Sequence, residues 1–148
     1  MNHDAYIKKL PKKFIGSGVI FLNDKNELLI IKPTYKPKWI IPGGIIESLE
    51  SPMQGATREI HEELGLIISE LEFLGVQYSK SYTKGSNLFD SIEFTFSGGI
   101  LSRHEISRIT TDEKEISEYK FCPIDLLQEY LNQWLYNRII IYLDKSLL

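Results

Sequence analysis

The stretch that decides how this chain folds lies at residues 44–66 and reads GIIESLESPMQGATREIHEELGL. Ser51 is a preferred N-cap, Pro52 suits the first helical position, and Gln54 completes a capping box. Gly65 tolerates the left-handed conformation in which helices often end. The segment therefore predicts a helix that begins at Pro52 and ends just before Gly65. The apolar residues at helical spacing, which we expect to be buried, are Met53, Ala56, Ile60 and Leu64.

Three carboxylates of this predicted helix share a face. Glu59, Glu62 and Glu63 are spaced i, i+3 and i+4, so they lie together, turned away from the apolar stripe. Crowded carboxylates repel one another, and a divalent cation relieves that repulsion. Hard oxygen ligands of this kind suit Mg²⁺ or Mn²⁺.

A glutamate-rich helix face is more often simply solvated, and the local run Arg-Glu-Ile-His-Glu-Glu alone would favour that interpretation. The wider spacing decides against it. The pattern is Gly-x5-Glu-x7-Arg-Glu-Ile-x-Glu-Glu-x-Gly-Leu, from Gly44 to Leu66. With residue frequencies of roughly 5–7%, seven such matches arise by chance about once in 10⁸ start positions.

This pattern resembles the box of the Nudix hydrolase superfamily, in its MutT-like form. The resemblance continues upstream in Trp39-Ile40-Ile41-Pro42-Gly43 and downstream in residues 115–121. It implies one α/β/α sandwich domain over residues 1–148, with a mixed β-sheet. It also implies an Mg²⁺-dependent (or Mn²⁺-dependent) enzyme that hydrolyses a diphosphate bond in a nucleoside diphosphate linked to another group.

The resemblance also implies roles for individual residues. The metal ligands would be Glu59, Glu62, Glu63 and the backbone carbonyl of Gly44. Arg58 would orient these glutamates with Glu50 as its partner, and Glu115 matches a distal glutamate that binds metal or activates water in some members. For the base that takes the proton from water, Glu62 or Glu63 is the first choice and Glu115 the second.

The substrate-binding candidates lie outside the box. Tyr35 and Lys36 stand in a loop flanked by prolines, where exposed aromatic and polar residues often bind ligands. Trp39 could stack on a base, although its place before the Pro-Gly turn favours a structural role. Tyr82 is similar in position to a tyrosine that recognises substrate in dinucleoside-polyphosphate hydrolases. The substrate itself stays open, as do the number of metal ions and the oligomeric state, a homodimer included.

The remaining segments predict a hairpin, further strands and closing helices. We expect residues 1–13 to form a loose arm and 102–114 a loop, and we expect Pro42-Gly43-Gly44 to end the short strand before it. The expected strands are 14–22, 27–32, 39–41, 71–79, 91–100 and 115–121, and the expected closing helices are 124–130 and 133–143.

Composition limits the alternatives. The chain has 148 residues, a formal net charge of −3 and a single cysteine, so no internal disulfide is possible. The charge argues against a stable nucleic-acid partner, and the longest aliphatic run is too short to cross a membrane. With no apolar leader at its beginning, we expect a cytoplasmic protein that binds a small nucleotide.

Two other functions compete with the enzyme. One is a catalytically inactive Nudix-fold nucleotide-binding or sensor domain, in which the box is usually broken at the Arg-Glu or Glu-Glu pair. Here Arg58, Glu59, Glu62 and Glu63 are all present, which favours catalysis. The other is a protein-interaction module, which predicts no stabilisation by metal.

Overall fold

The computed structural model describes residues 2–82 and 88–144, and the side chains of 81–89 are outside that description. The strands are β1 (Phe14–Leu22), β2 (Leu28–Pro33), β3 (Gly43–Ile45), β4 (Glu72–Tyr82), β5 (Leu88–Ile100) and β6 (Ile116–Cys122). The helices are α1 (His3–Lys9), α2 (Pro52–Leu64), α3 (Arg103–Ser107), α4 (Leu127–Tyr130), which a 3₁₀ turn (Ile124–Leu126) precedes, and α5 (Gln133–Leu143).

The described strands form a six-stranded mixed sheet in the order β4-β5-β1-β2-β6, with β3 paired to β1. The β1/β5 pair is parallel, and every other pair is antiparallel. The expected hairpin of β1 and β2 is confirmed, with Leu22 opposite Leu28. Its turn is held by Asn23, whose side-chain oxygen accepts from the backbone N–H groups of Lys25 and Glu27.

Two apolar cores lie on opposite faces of the sheet, as the period of two along a strand requires. In β2, Leu29 and Ile31 pack on the α2 side with the helix residues Ala56, Ile60 and Leu64. Leu28 and Ile30 face the other way, toward residues of α4, α5 and the turn between them, which are Leu127, Leu131, Leu135, Ile139 and Leu143. The α/β/α sandwich expected from the sequence is therefore confirmed.

The central helix is confirmed at both ends. Ser51 accepts from the Gln54 backbone N–H, and the Gln54 side chain accepts from the Ser51 N–H. Gly65 ends the helix in the left-handed region at φ 68°. The expectation for Met53 was wrong, because its side chain is 43% exposed. Met53 lies in the first turn of α2, and this turn extends beyond the buried cluster.

Four local predictions were also wrong or incomplete. Residues 1–13 are not merely a loose arm, because the Asn2 side chain caps α1, although α1 buries no residue. The 102–114 loop contains α3, capped by a Ser102–Glu105 box of the same kind as in α2. Residues 39–41 form only isolated bridges, and 124–130 is split into a 3₁₀ turn and α4.

The expected break at Pro42-Gly43-Gly44 is confined to a bend at Pro42, because Gly43 and Gly44 belong to β3. Gly43 lies opposite Gly18 in the β1/β3 pair, and its φ of +146° suits only glycine. A side chain at Gly43 would also collide with the Ser17 carbonyl. The turn residues thus bring β3 against β1 rather than ending regular structure. No helix among residues 2–82 and 88–144 is long and apolar enough to cross a membrane.

Candidate active site

A cleft of about 640 Å³ opens where β1, β3, α2 and α5 meet. One end is lined by Arg58, Glu59, Glu62 and Glu63 of α2, which we call the acidic end. The other end is lined by Glu93 of β5 with Trp134 and Arg138 of α5, which we call the arginine end. The remaining predicted residues that line the cleft are Tyr35, Lys36, Gly44 and Glu115.

Arg58 joins the side chains of the acidic end. Its Nε and Nη2 donate to the two carboxylate oxygens of Glu50 at 2.7 and 3.1 Å. Its Nη1 donates to Glu59 at 3.0 Å and to Glu62 at 3.1 Å, and Nη2 also donates to the Ile45 carbonyl at 3.0 Å. A planar guanidinium makes such forked contacts with fixed geometry, so Arg58 sets the positions of three carboxylates at once.

These contacts change the pKa values in opposite directions. The hydrogen bond from Arg58, with a second from the Glu47 backbone N–H, lowers the pKa of Glu50. The same carboxylates raise the pKa of Arg58, chiefly through Glu50. The pKa of Glu59 is raised because burial outweighs its hydrogen bond from Arg58. Glu50 therefore serves as the main counter-ion of Arg58, while the charged form of Glu59 is disfavoured despite its ion pair with Arg58.

Glu63 is the most strongly perturbed carboxyl of the cleft. It is only 6% exposed, and its Oε2 accepts from the Gly43 N–H at 2.9 Å. Its pKa is raised to about 8, chiefly by burial and also by the charges of Glu59, Glu115 and Glu62, against that hydrogen bond. A buried carboxyl under such repulsion stabilises any cation that reaches it.

Gly44 is placed against Glu59 as closely as its lack of a side chain permits. A Cβ at this position would lie 2.5 Å from the Glu59 carboxylate carbon. The Gly44 carbonyl accepts from the Ser17 hydroxyl at 3.5 Å. The backbone of β3 and the carboxylates of α2 therefore meet at one wall of the cleft.

The donors at this wall fit a hard divalent cation by their chemistry. The charges of three carboxylates, Glu59, Glu62 and Glu115, act on Glu63. With Glu63 itself, four carboxylates therefore share this wall. In the part of the chain described here, no three carboxylate, imidazole or thiol groups form a ready chelating cluster. Arg58 already binds two of these side chains, Glu59 and Glu62. These side chains would have to turn from the arginine toward the ion.

The predicted substrate-binding residues differ in whether they line the cleft. Tyr35 is 70% exposed at the cleft, and the Lys36 ammonium lies 5.6 Å from its ring centroid. Trp39 does not line the cleft; its ring packs edge-on against Tyr130 at 5.9 Å. This placement favours the structural role for Trp39. The backbone of Tyr82 ends β4, but its side chain lies outside the described part of the structure.

The arginine end was missed by the sequence analysis. The Arg138 side chain is 7% exposed, and its Nη1 lies 3.8 Å from Oε2 of Glu93. Burial lowers the pKa of Arg138, while the charge of Glu93 opposes that shift. Only weak signals pointed here: a charged residue inside the apolar α5, and the alternating Gly16 and Gly18 of β1, since strand glycines often mark close approaches.

Comparison with known proteins agrees with this arrangement. The model of the NUDIX domain family matches residues 12–142. A putative 8-oxo-dGTP diphosphatase of Bacillus subtilis is 34% identical over 74 residues, which are 50% of this chain and 50% of that protein. The match therefore spans about half the length of this curated relative.

Solved structures share the fold. The MutT protein from Methanosarcina mazei Go1 has a TM-score of 0.72 at 22% identity, covering 93% of this chain and 98% of that chain. The NUDIX domain of Shewanella oneidensis NrtR, solved in complex with ADP ribose, has a TM-score of 0.73 at 16% identity, covering 100% of both. Identities this low establish the fold and nothing further.

Proposed function

Because this chain belongs to the NUDIX domain family, we propose that it hydrolyses a diphosphate bond in a nucleoside diphosphate joined to another group. The observation that carries the proposal is the crowding of four carboxylates on one wall of the cleft. Their mutual repulsion raises the pKa of Glu63 beyond the effect of burial. An intact Arg58 network, which engages Glu50, Glu59 and Glu62, argues against an inactive binding domain.

We assign the metal to Glu59, Glu62, Glu63 and the Gly44 carbonyl, with Mg²⁺ or Mn²⁺ as the ion. When bound there, such an ion would neutralise phosphate oxygens and acidify the attacking water. Arg58 holds the carboxylates in register with the help of Glu50. Tyr35 and Lys36 lie at the mouth, where they can contact the nucleotide.

The proton of the attacking water goes to a carboxylate that lines the cleft. Glu62 is the first candidate, because half of its side chain is exposed and a single bond to Arg58 holds it. Glu63 is buried and accepts from the Gly43 N–H, and Glu115 lines the same cleft from outside α2. Glu63 and Glu115 are therefore the alternatives.

The test is hydrolysis by the purified full chain of nucleoside triphosphates, ADP-ribose, sugar nucleotides and dinucleoside polyphosphates. At least one should release phosphate products in Mg²⁺ and none in EDTA. Glu62→Gln should lower turnover by about 10²–10⁴-fold with the fold retained. Glu70→Gln, an exposed glutamate outside the cleft, is the matched control and should be unchanged. Hydrolysis that survives in EDTA would overturn the assignment.

A further inference from the structure

The arginine end of the cleft contains a buried guanidinium that the protein does not satisfy. Arg138 projects from α5, and its Nε has no hydrogen-bond partner within residues 2–82 and 88–144. Its ion pair with Glu93 spans 3.8 Å, longer than a hydrogen bond. An unpaired buried donor costs free energy comparable to a lost hydrogen bond. Nε itself is enclosed, but Arg138 lines the cleft, so a ligand there can approach the terminal nitrogens of a guanidinium that the protein pairs incompletely.

Two glycines of β1 make room for this pair. A Cβ added to Gly18 would lie 2.8 Å from Arg138 Nη2 and 2.7 Å from Ile41 Cδ1. A Cβ added to Gly16 would collide with the carboxylate of Glu93. Because β1 has no side chains at these two positions, the side chains of Glu93 and Arg138 pack directly against its backbone.

A flat apolar surface stands beside the pair. Trp134 lines the cleft and is 42% exposed, and the Arg138 guanidinium carbon lies 5.0 Å from its ring centroid. The nearby carboxylate of Glu93 disfavours a phosphate at this end, because like charges repel. The subsite is suited instead to a neutral planar group with polar edges.

We propose that Glu93 and Arg138 read the edge of a guanine base, which makes them specificity-determining residues of the proposed hydrolase. Guanine presents two acceptors, N7 and O6, followed by two donors, N1–H and N2–H. A guanidinium offers two donors in a fork, the commonest partner of O6 and N7, and the adjacent carboxylate offers two acceptors. Adenine alternates acceptor, donor and acceptor along the same edge, so it satisfies neither group fully.

This inference rests on the proposed function, since it names the base of that substrate. The probes are the α,β-methylene diphosphates of guanosine and adenosine, whose bridging carbon prevents hydrolysis. Their dissociation constants for the full chain are measured by calorimetry in Mg²⁺. We expect guanosine to bind about 10–100-fold more tightly, as one or more good bidentate contacts imply.

The variants are chosen to separate recognition from folding. Arg138→Gln and Arg138→Lys should bring the guanosine-to-adenosine ratio close to one, because lysine keeps the charge but not the fork. Glu93→Gln should lower the ratio by about tenfold and decides the matter if the Arg138 variants do not fold. Arg103→Gln is the matched control, because that side chain is 93% exposed and pairs only loosely with Asp24 at 3.5 Å.

The outcomes distinguish the two proposals. Glu63→Gln should lose turnover yet keep the guanosine preference, because it belongs to the other end of the cleft. Preferential guanosine binding without hydrolysis of any nucleotide would support the base assignment and overturn the proposed function. A wild-type ratio near one, or a guanosine preference that persists in folded Arg138→Gln and Glu93→Gln, would overturn the base assignment.

Discussion

The two ends of the cleft are assembled in different ways. The acidic end comes from α2 and the segment just before it, so all of its side chains lie within 23 residues of chain, 44–66. The arginine end combines β1, β5 and α5, whose contributing residues Gly16 and Arg138 are far apart in the sequence. The first is held by local helix geometry and the second by tertiary packing. Changes at each end should therefore affect different steps, chemistry at one and base selection at the other.

A pair of glycine substitutions gives the largest contrast. Gly44→Ala places a Cβ 2.5 Å from the Glu59 carboxylate carbon, and displacing such a group by about 1 Å can cost about 100-fold in rate. Gly18→Ala instead pushes on Arg138 and Ile41. We expect Gly44→Ala to lower kcat by about 100-fold with the base preference kept. Gly18→Ala should reduce the base preference and leave kcat within a few-fold.

Steady-state kinetics on the two substitutions, with thermal melts to verify folding, checks this contrast. A glycine outside the cleft such as Gly99 is a poor control, because its φ of +73° would strain an alanine. The two variants therefore serve as controls for each other. If both lower kcat and base preference to the same extent, the two ends are not separable.

Removal of Arg58 should have the next largest effect. Arg58→Ala frees Glu50, Glu59 and Glu62 together, and loss of a residue that orients metal ligands typically costs about 10–100-fold in affinity or activity. Arg58→Lys should not restore activity, because an ammonium cannot make the forked contact with Glu50. The measurement is kcat as a function of Mg²⁺ concentration. A lysine variant with normal kcat and metal dependence would show that charge alone suffices.

The same contrast explains what the sequence could predict. Glu59, Glu62 and Glu63 were predictable because helix spacing alone puts them on one face, and Ser51 and Gly65 mark where that helix begins and ends. The approach of β3 to β1 was not, because Gly43 and Gly18 meet only after the sheet forms. The pairing of Glu93 with Arg138 was equally hidden, since it depends on how α5 packs across β1 and β5.

The burial of the α2 side chains was likewise predictable only in part. The apolar stripe of α2 predicted the burial of Ala56, Ile60 and Leu64, but not the exposure of Met53 at the helix end. The stripe also gave no sign that Glu63 would be buried on a face expected to point away from the core. Periodicity indicates which side of a helix is covered, while the neighbouring elements decide how far along its length the cover extends.

The burial of Glu63 makes the stability of the metal-free protein depend on pH. Its pKa is about 8 in the folded state against an ordinary 4.5. Between these values the folded state holds a proton that the unfolded state has released, so stability falls as pH rises through the window. In EDTA the melting temperature should drop by at least about 3 °C between pH 5 and pH 8.

Glu63→Gln should flatten this profile, because the amide does not titrate. Glu70→Gln should leave it unchanged, since Glu70 is exposed. A wild-type melting temperature that rises between pH 5 and pH 8 would contradict the assignment of Glu63 as a buried, repelled carboxyl.

The smallest effect concerns the helix that presents the acidic end. Ser51→Ala removes the acceptor of the Gln54 N–H at 3.1 Å, and loss of such a cap typically costs about 1 kcal/mol. Chemical denaturation should report this loss, while kcat changes less than about threefold, because the neighbouring Glu50 keeps its own hydrogen bonds from Arg58 and from the Glu47 N–H. Ser102→Ala removes the equivalent cap of α3, a five-residue helix whose residues are not among those that line the cleft, and is the matched control for stability without a change in catalysis. If Ser51→Ala abolishes turnover while Ser102→Ala does not, the first turn of α2 positions the carboxylates directly, and the acidic end depends on more than Arg58 and the β3 backbone.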